Sequence, residues 1–125
     1  MSKPQHALHW FEIPVHDLER AQAFYTQVCN QPLKRETMGG AEMAMFPSSE
    51  DGVGGCLWSD KESKPSTDGS VVYLNAEPSV EAALGRVEKA GGRVVVPRTA
   101  LPDGMGYFAV FIDCEGNKVG LHALN

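Results

Sequence analysis

Glu12 is the side chain of this sequence that is best placed for acid–base chemistry. It stands in a short segment in which bulky and polar residues alternate, a pattern that predicts a β-strand. Side chains two positions apart share one face of a strand, so Glu12 points in the same direction as Trp10 and Pro14. A carboxylate beside an indole could act as the general base of an enzyme. It could also be paired with Arg98 or Arg35, or be hydrated at the rim of a cleft.

Two similar runs of predicted elements supply the strands that would position such side chains. Residues 8–58 begin with this strand, continue with an amphipathic helix whose N-cap is Asp17, and end with three short strands. Residues 71–123 repeat a strand, a helix whose N-cap is Ser79, and three further strands, with a loop predicted over residues 97–106. The polar residues 59–70 form a linker between the two runs.

The two runs also match each other residue by residue. Asp17–Ala21 lies over Ser79–Ala83, and Cys56–Trp58 lies over Gly120–His122, at offsets of about 62 to 64 residues. Because this period is longer than that of most solenoid repeats, it indicates a single internal duplication. We therefore expect an α+β fold of two βαβββ modules with a cleft between them.

The composition argues against several classes of function. With 125 residues, the chain (1–125) makes one domain of ordinary size, and its net charge of −5 argues against a nucleic-acid-binding surface. No apolar run approaches the roughly 20 residues that span a bilayer, so no membrane partner is expected. The first six residues lack the apolar segment of a secretory signal. Cys29, Cys56 and Cys114 show no close pairing, which is typical of a cytoplasmic protein with reduced thiols.

Three groups of residues carry a family resemblance. They are Trp10–Val15 with Asp17–Ala21 and Phe24–Tyr25, then Ala82–Leu84 with Ala90–Gly92, and finally Asp113–Leu121. In this order and spacing they resemble the vicinal oxygen chelate superfamily, which includes glyoxalase I, bleomycin-resistance proteins and extradiol dioxygenases. The resemblance covers residues 8–123. It implies a curled mixed sheet in each module, two modules that enclose a cleft, and a homodimer, because relatives commonly dimerise.

The resemblance also implies where a metal ion would be bound. In metal-using relatives the ligands come from the first and last strands of each module, at positions that correspond here to Trp10, Cys56, Val71 and Gly120. Relatives carry His, Glu or Gln at these positions, whereas only Cys56 has a ligating side chain in this sequence. A divalent cation needs three or four placed donors, and an indole N–H offers no lone pair. We therefore expect no metal in this position and no other cofactor.

His122 lies two residues beyond Gly120, so it is expected to face the same cleft. It could form an acid–base pair with Glu12, or join Glu12 and Cys56 in an atypical metal site. It could also be an ordinary packing residue near the end of the chain.

The side chains that share this orientation are predicted to contact a small-molecule ligand or substrate. These residues are Trp10, Glu12, Trp58, Tyr73, Asn75 and His122. An apolar wall with a few convergent polar groups is typical of small-molecule pockets. The aromatic members could instead fill the space between the sheets.

Two functions agree with this pattern. The favoured one is a glyoxalase-related, metal-free protein that binds a small molecule, similar to the bleomycin-resistance branch. The alternative is a lyase or isomerase similar to glyoxalase I (lactoylglutathione lyase), in which Glu12 is the catalytic base. An extradiol dioxygenase is less well supported, because it would need two His and a carboxylate around iron.

Overall fold

The computed structural model describes residues 2–125 and contains two four-stranded sheets with one long helix each. The first module contains β1 (Trp10–Pro14), α1 (Leu18–Cys29), β2 (Lys34–Met38), β3 (Ala41–Met45) and β4 (Gly54–Ser59). The second contains β5 (Tyr73–Asn75), α2 (Val80–Lys89), β6 (Arg93–Ala100), β7 (Tyr107–Ile112) and β8 (Lys118–Ala123). A short 3-10 turn, Pro102–Gly104, lies between β6 and β7.

The two sheets have the same topology. Their strand orders are β1-β4-β3-β2 and β5-β8-β7-β6, with one parallel pair at the first strand of each module and antiparallel pairs elsewhere. The helix of each module is the crossover that its parallel strand pair requires. The predicted α+β fold of two βαβββ modules, each a mixed sheet, is confirmed.

Local chemistry explains where the helices begin and end. The Asp17 carboxylate accepts a hydrogen bond of 3.1 Å from the backbone N–H of Arg20, and the Ser79 hydroxyl accepts one of 3.2 Å from that of Ala82. Each bond satisfies an amide that the first helical turn leaves without a partner. At the other end of α1, Asn30 adopts the left-handed conformation (φ 56°) that ends many helices.

Three strands differ in length from the sequence expectation. β1 and β5 begin two residues later than the predicted starts at Leu8 and Val71. β6 continues to Ala100, whereas a loop was expected from Pro97 onward, and that expectation was wrong. Pro97 is tolerated because β6 is an edge strand and its pairing with β7 shifts register on both sides of Val96.

The hydrophobic core lies between the two modules and includes both helices. One continuous cluster contains α1 residues such as Phe24, α2 residues such as Val87, and core-facing residues of both sheets such as Leu57 and Leu121. α1 packs on β3 and β4 of its own sheet and on α2, and its Phe24 ring also lies 6.1 Å from that of Phe111 in β7 of the other module. The opposite face of each sheet is therefore turned away from the shared core. Within residues 2–125, no helix is long and apolar enough to cross a membrane.

A buried carboxylate joins the modules beneath this core. Asp113, which follows β7, accepts a hydrogen bond of 2.6 Å from the hydroxyl of Tyr25 in α1. The same carboxylate accepts bonds from the backbone N–H groups of Glu115 and Asn117. The side-chain amide of Asn117 then donates to the carbonyl of Pro14, at 2.7 Å. Burial, together with the Asp113 charge, raises the pKa of Tyr25 well above its ordinary value, so the hydroxyl keeps its proton.

We expect Asp113→Ala to lower the free energy of unfolding by about 3 kcal/mol, because it leaves buried donors without an acceptor. Urea unfolding followed by circular dichroism measures this loss. Asp51→Ala removes an exposed carboxylate and should change stability by no more than about 0.5 kcal/mol. Equal effects of the two substitutions would contradict the role given to Asp113.

Candidate functional site

The outward face of the first sheet carries three of the predicted site residues. Trp10 and Glu12 alternate along β1 with Phe11 and Ile13, whose side chains take the core side. In the parallel register, Trp10 lies beside Gly54 of β4, Glu12 beside Cys56, and Pro14 beside Trp58. Trp10, Glu12 and Trp58 therefore share one surface, as the alternation of the strand predicted.

The two tryptophans on this surface are held in different ways. Trp10 is 41% exposed, and its ring lies against Gly54, where an added Cβ would approach Cζ3 to 3.3 Å. The Trp58 indole donates a hydrogen bond of 2.7 Å to the Asp60 carboxylate. That hydrogen bond, with those from the backbone of Ser63 and Glu62, lowers the pKa of Asp60 to about 2. Asp60 thus remains an anion that orients the indole over the pH range of a cell.

The outward face of the second sheet carries the other three predicted residues. Tyr73 lies beside Gly120 of β8, and Asn75 lies beside His122. The Tyr73 ring covers Gly120, because the three atoms closest to an added Cβ at this glycine all belong to that ring. The other side of the Tyr73 ring remains open, since the residue is 52% exposed. Phe108 stands edge-on to it, at 6.4 Å between ring centroids.

His122 connects this face to the loop between β6 and β7. Its Nε2 lies 2.7 Å from the carbonyl oxygen of Met105. A carbonyl only accepts hydrogen bonds, so Nε2 carries a proton in this arrangement. The imidazole also lines an apolar cavity of about 300 Å³ with Tyr73, Leu101 and Phe108. His122 therefore binds this loop through a hydrogen bond and also lines an aromatic pocket.

Within one chain these residues form two separate groups. Trp10, Glu12 and Trp58 lie on one sheet; Tyr73, Asn75 and His122 lie on the other. Both groups occupy faces turned away from the core that the modules share. The first group is aromatic and acidic, and the second is aromatic with an amide and an imidazole. Each resembles half of a small-molecule site.

A larger cavity of about 680 Å³ lies between the modules, on the side of the helices. Tyr73 and Asn75 line its edge, and its apolar walls include Phe11, Phe46 and Leu74. Phe11 and Phe46 were not among the predicted site residues. Strand alternation gives Phe11 the core side of β1, and no local pattern reveals a gap between two modules.

Glu12 is not paired with either arginine that the sequence offered as a partner. The Arg35 guanidinium contacts Gln22 at 2.9 Å and Glu42 at 3.3 Å. The Arg98 guanidinium stacks 3.6 Å from the centroid of the Tyr107 ring. Both arginines are thus engaged elsewhere, and the exposed Glu12 carboxylate is left for another contact.

The residues at the metal-ligand positions of the family do not fit a divalent cation. At Gly120 the Tyr73 ring occupies the space that a side chain would need. The side chains of Val71 and Trp10 offer no lone pair to a metal ion. Burial, with a smaller contribution from Glu12, raises the pKa of Cys56 to about 11, so its thiol is protonated at neutral pH. Within residues 2–125, no three His, Cys, Asp or Glu side chains are grouped to hold a metal ion.

The packing of Tyr73 on Gly120 can be tested by a double-mutant cycle. Gly120→Ala should cost about 1–3 kcal/mol of stability, because the new Cβ overlaps the Tyr73 ring. In a Tyr73→Ala background the same change should cost less than about 0.5 kcal/mol. Gly85→Ala in α2, where an added Cβ meets open space, should instead stabilise by about 0.5–1 kcal/mol. An undiminished cost without the ring would show that Tyr73 does not occupy this position.

Known proteins show the same architecture. TnmS3, an antibiotic binding protein from Streptomyces sp. CB03234, is 22% identical, with a TM-score of 0.71 over 98% of both chains. A glyoxalase I mutant from Zea mays is 22% identical, with a TM-score of 0.69 over 92% of this chain and 46% of that one. A glyoxalase-related enzyme from Fulvimarina pelagi is 18% identical, with a TM-score of 0.66 over 96% and 88%. At these identities the structures establish a shared fold.

Sequence comparison places the chain in a family. Among proteins of curated function, none matches the sequence. The sequence model of the Glyoxalase/Bleomycin resistance protein/Dioxygenase superfamily matches residues 7–121, which is nearly the whole chain. The family resemblance noted in the sequence is thereby confirmed, and the chain belongs to the glyoxalase/bleomycin resistance protein/dioxygenase superfamily.

Proposed function

We propose that this protein binds a small, partly aromatic molecule and does so without a metal ion. The observation that carries the proposal is the placement of aromatic rings at the metal-ligand positions. Tyr73 covers Gly120, and Trp10 itself stands at the first ligand position and packs on Gly54. The Tyr73 ring covers its glycine, and both rings are partly exposed, which leaves aromatic surface for a ligand to stack on.

The polar groups around these rings would orient the ligand. Glu12 offers a carboxylate beside Trp10, and Asn75 and His122 offer an amide and an imidazole beside Tyr73. A few directed polar groups in an apolar wall give a binding site its specificity. The antibiotic binding title of TnmS3 supports binding as a function that this fold can perform.

We infer further that the two half-sites meet across a homodimer. The supporting observation is that both faces are turned outward and expose large apolar side chains, with Trp10 at 41%, Tyr73 at 52% and Met105 at 56%. Exposed apolar patches of this kind are typical of interaction surfaces. In such a dimer, Trp10 of one protomer would face Tyr73 of the other. The free Cys29, Cys56 and Cys114 agree with a reducing, cytoplasmic location for the dimer.

Binding can be measured with planar aromatic probes by calorimetry and by quenching of tryptophan fluorescence. Trp10→Ala or Tyr73→Ala should weaken the affinity at least tenfold, because each removes a stacking surface. Leu124→Ala, at another exposed apolar position, should leave the affinity unchanged. Prior treatment with a chelator, or addition of Ni²⁺ or Zn²⁺, should have no effect. A requirement for metal would refute the proposal.

Mixing the two variants tests the composite site. In a heterodimer of Trp10→Ala and Tyr73→Ala subunits, one site carries both substitutions and the other carries neither. After denaturation and refolding together, about a quarter of the sites should recover full affinity, since half of the randomly paired dimers are mixed. Analytical ultracentrifugation should give twice the 13.5 kDa of one chain. No recovery of affinity in a dimeric sample would show that each site lies within one subunit.

A second function, a lyase or isomerase similar to glyoxalase I, is favoured by one observation. Glu12 is an exposed carboxylate on the ligand-facing surface, and neither Arg35 nor Arg98 neutralises it. Such a group could remove a proton next to a substrate carbonyl, if the substrate stacks on Trp10.

The catalytic alternative is tested with the hemithioacetal of methylglyoxal and glutathione, using chelator-treated protein. If it holds, Glu12→Gln should reduce the rate at least 100-fold, which is the lower end of general-base contributions. Glu62→Gln, at an exposed position in the linker, should retain the wild-type rate. A wild-type rate equal to that in buffer would reject lyase activity on this substrate and leave binding as the function.

A further inference from the structure

A separate cavity of about 210 Å³ lies at the junction of the modules, where the linker passes between β1 and β8. Its floor is apolar and includes Ile13, Val72 and Val119. Polar side chains of the linker, including Ser66 and Ser70, form one wall. The aromatic rings of the proposed ligand face take no part in this lining.

Four charged residues line this cavity, two of each sign. They are Lys64 and Asp68 from the linker, Glu12 from β1 and Lys118 from β8. In the part of the chain that the structure describes, every ion pair within 4.0 Å joins other residues, such as Arg20 with Glu115. The two lysines and two acidic residues are therefore gathered around one cavity without forming ion pairs with each other.

The linker wall is held in place by hydrogen bonds to the second module. The backbone N–H of Ser66 donates to the Asn117 side chain at 3.0 Å, and the N–H of Lys118 donates to the Ser66 carbonyl at 3.4 Å. Asn117 is itself buried and bonded to Asp113 and Pro14. The charged groups are thus carried on backbone that is anchored to the module junction.

We propose that this cavity binds a small zwitterion of the α-amino acid class. The carboxylate of such a ligand would be held by Lys64 and Lys118, and its ammonium group by Glu12 and Asp68, in charge-assisted hydrogen bonds. A ligand with one charge would neutralise either the two lysines or the two acidic residues. The remaining two like charges would then repel each other without a counter-charge. A molecule that carries both charges offers each pair of the lining a partner of opposite sign.

The size of the cavity restricts the ligand further. Its volume lies below the range of about 300–1,000 Å³ that is typical of sites for drug-sized molecules. The cavity volume corresponds to that of about seven water molecules in the liquid, at about 30 Å³ each. A free amino acid agrees with this space better than a peptide does. This inference does not depend on the proposed aromatic site, with which it shares only Glu12.

The experiment titrates the twenty standard L-amino acids singly into ¹⁵N-labelled protein and follows the amide signals of Ser66, Asn117 and Lys118. At least one amino acid should cause saturable shifts at these amides, whereas methylamine and acetate at the same concentrations should not. Lys64→Met and Lys118→Met should each raise the Kd of that amino acid at least tenfold. Lys61→Met removes a neighbouring linker lysine that does not line the cavity and should change the Kd less than twofold.

Three results would overturn the assignment: no saturable shift with any amino acid, equal binding of acetate alone, or equal weakening by Lys61→Met and Lys64→Met. The lysine variants also distinguish this site from the aromatic one. They should bind planar aromatic probes with wild-type affinity, so failure of either proposal leaves the other open to test. Circular dichroism of each variant checks that the fold is retained.

Discussion

The carboxylate of Asp113 joins the two modules, because it accepts hydrogen bonds from the first module and from its own loop at once. Tyr25 reaches it from α1, and the loop amides of Glu115 and Asn117 bind it from the second module. The same loop presents Glu115, which binds the Arg20 guanidinium and the backbone at the start of α1. These bonds lower the pKa of Glu115 although burial opposes the shift, so the carboxylate is charged at neutral pH.

This junction determines which surfaces remain for a ligand. Each helix packs on its own sheet and on the other helix, and Phe24 of α1 also contacts Phe111 of the other module. Each sheet must then turn its second face outward, and that face carries Trp10 and Glu12 in one module and Tyr73 and His122 in the other. The two groups of predicted site residues therefore lie on different modules. The same junction leaves the small charged cavity beneath the linker, where Asn117 binds Ser66.

The parts of this structure that could be predicted are those that local chemistry decides. Asp17 and Ser79 mark helix starts through their own side chains, and strand alternation placed Glu12 beside Trp10 on one face. Other features depend on residues far apart in the chain. Asp113 and Tyr25 are separated by 88 positions, and no pattern in either segment indicates their contact. Likewise, the strand pattern predicts that Tyr73 and Gly120 share a face. The contact of the Tyr73 ring with Gly120 depends on tertiary packing and is not visible in the sequence.

That ring also limits which side chains position 120 can carry. A carboxylate placed at position 120 would have to displace Tyr73, because its Cβ overlaps the ring. Removing Tyr73 first would expose an apolar surface without providing a ligand, since Trp10 and Val71 still offer no lone pair. A substitution at position 120 alone therefore does not create a metal site, because it first sacrifices the packing of Tyr73. In the proposed function, aromatic rings that pack on glycines take the place of a metal centre on the same pair of sheets.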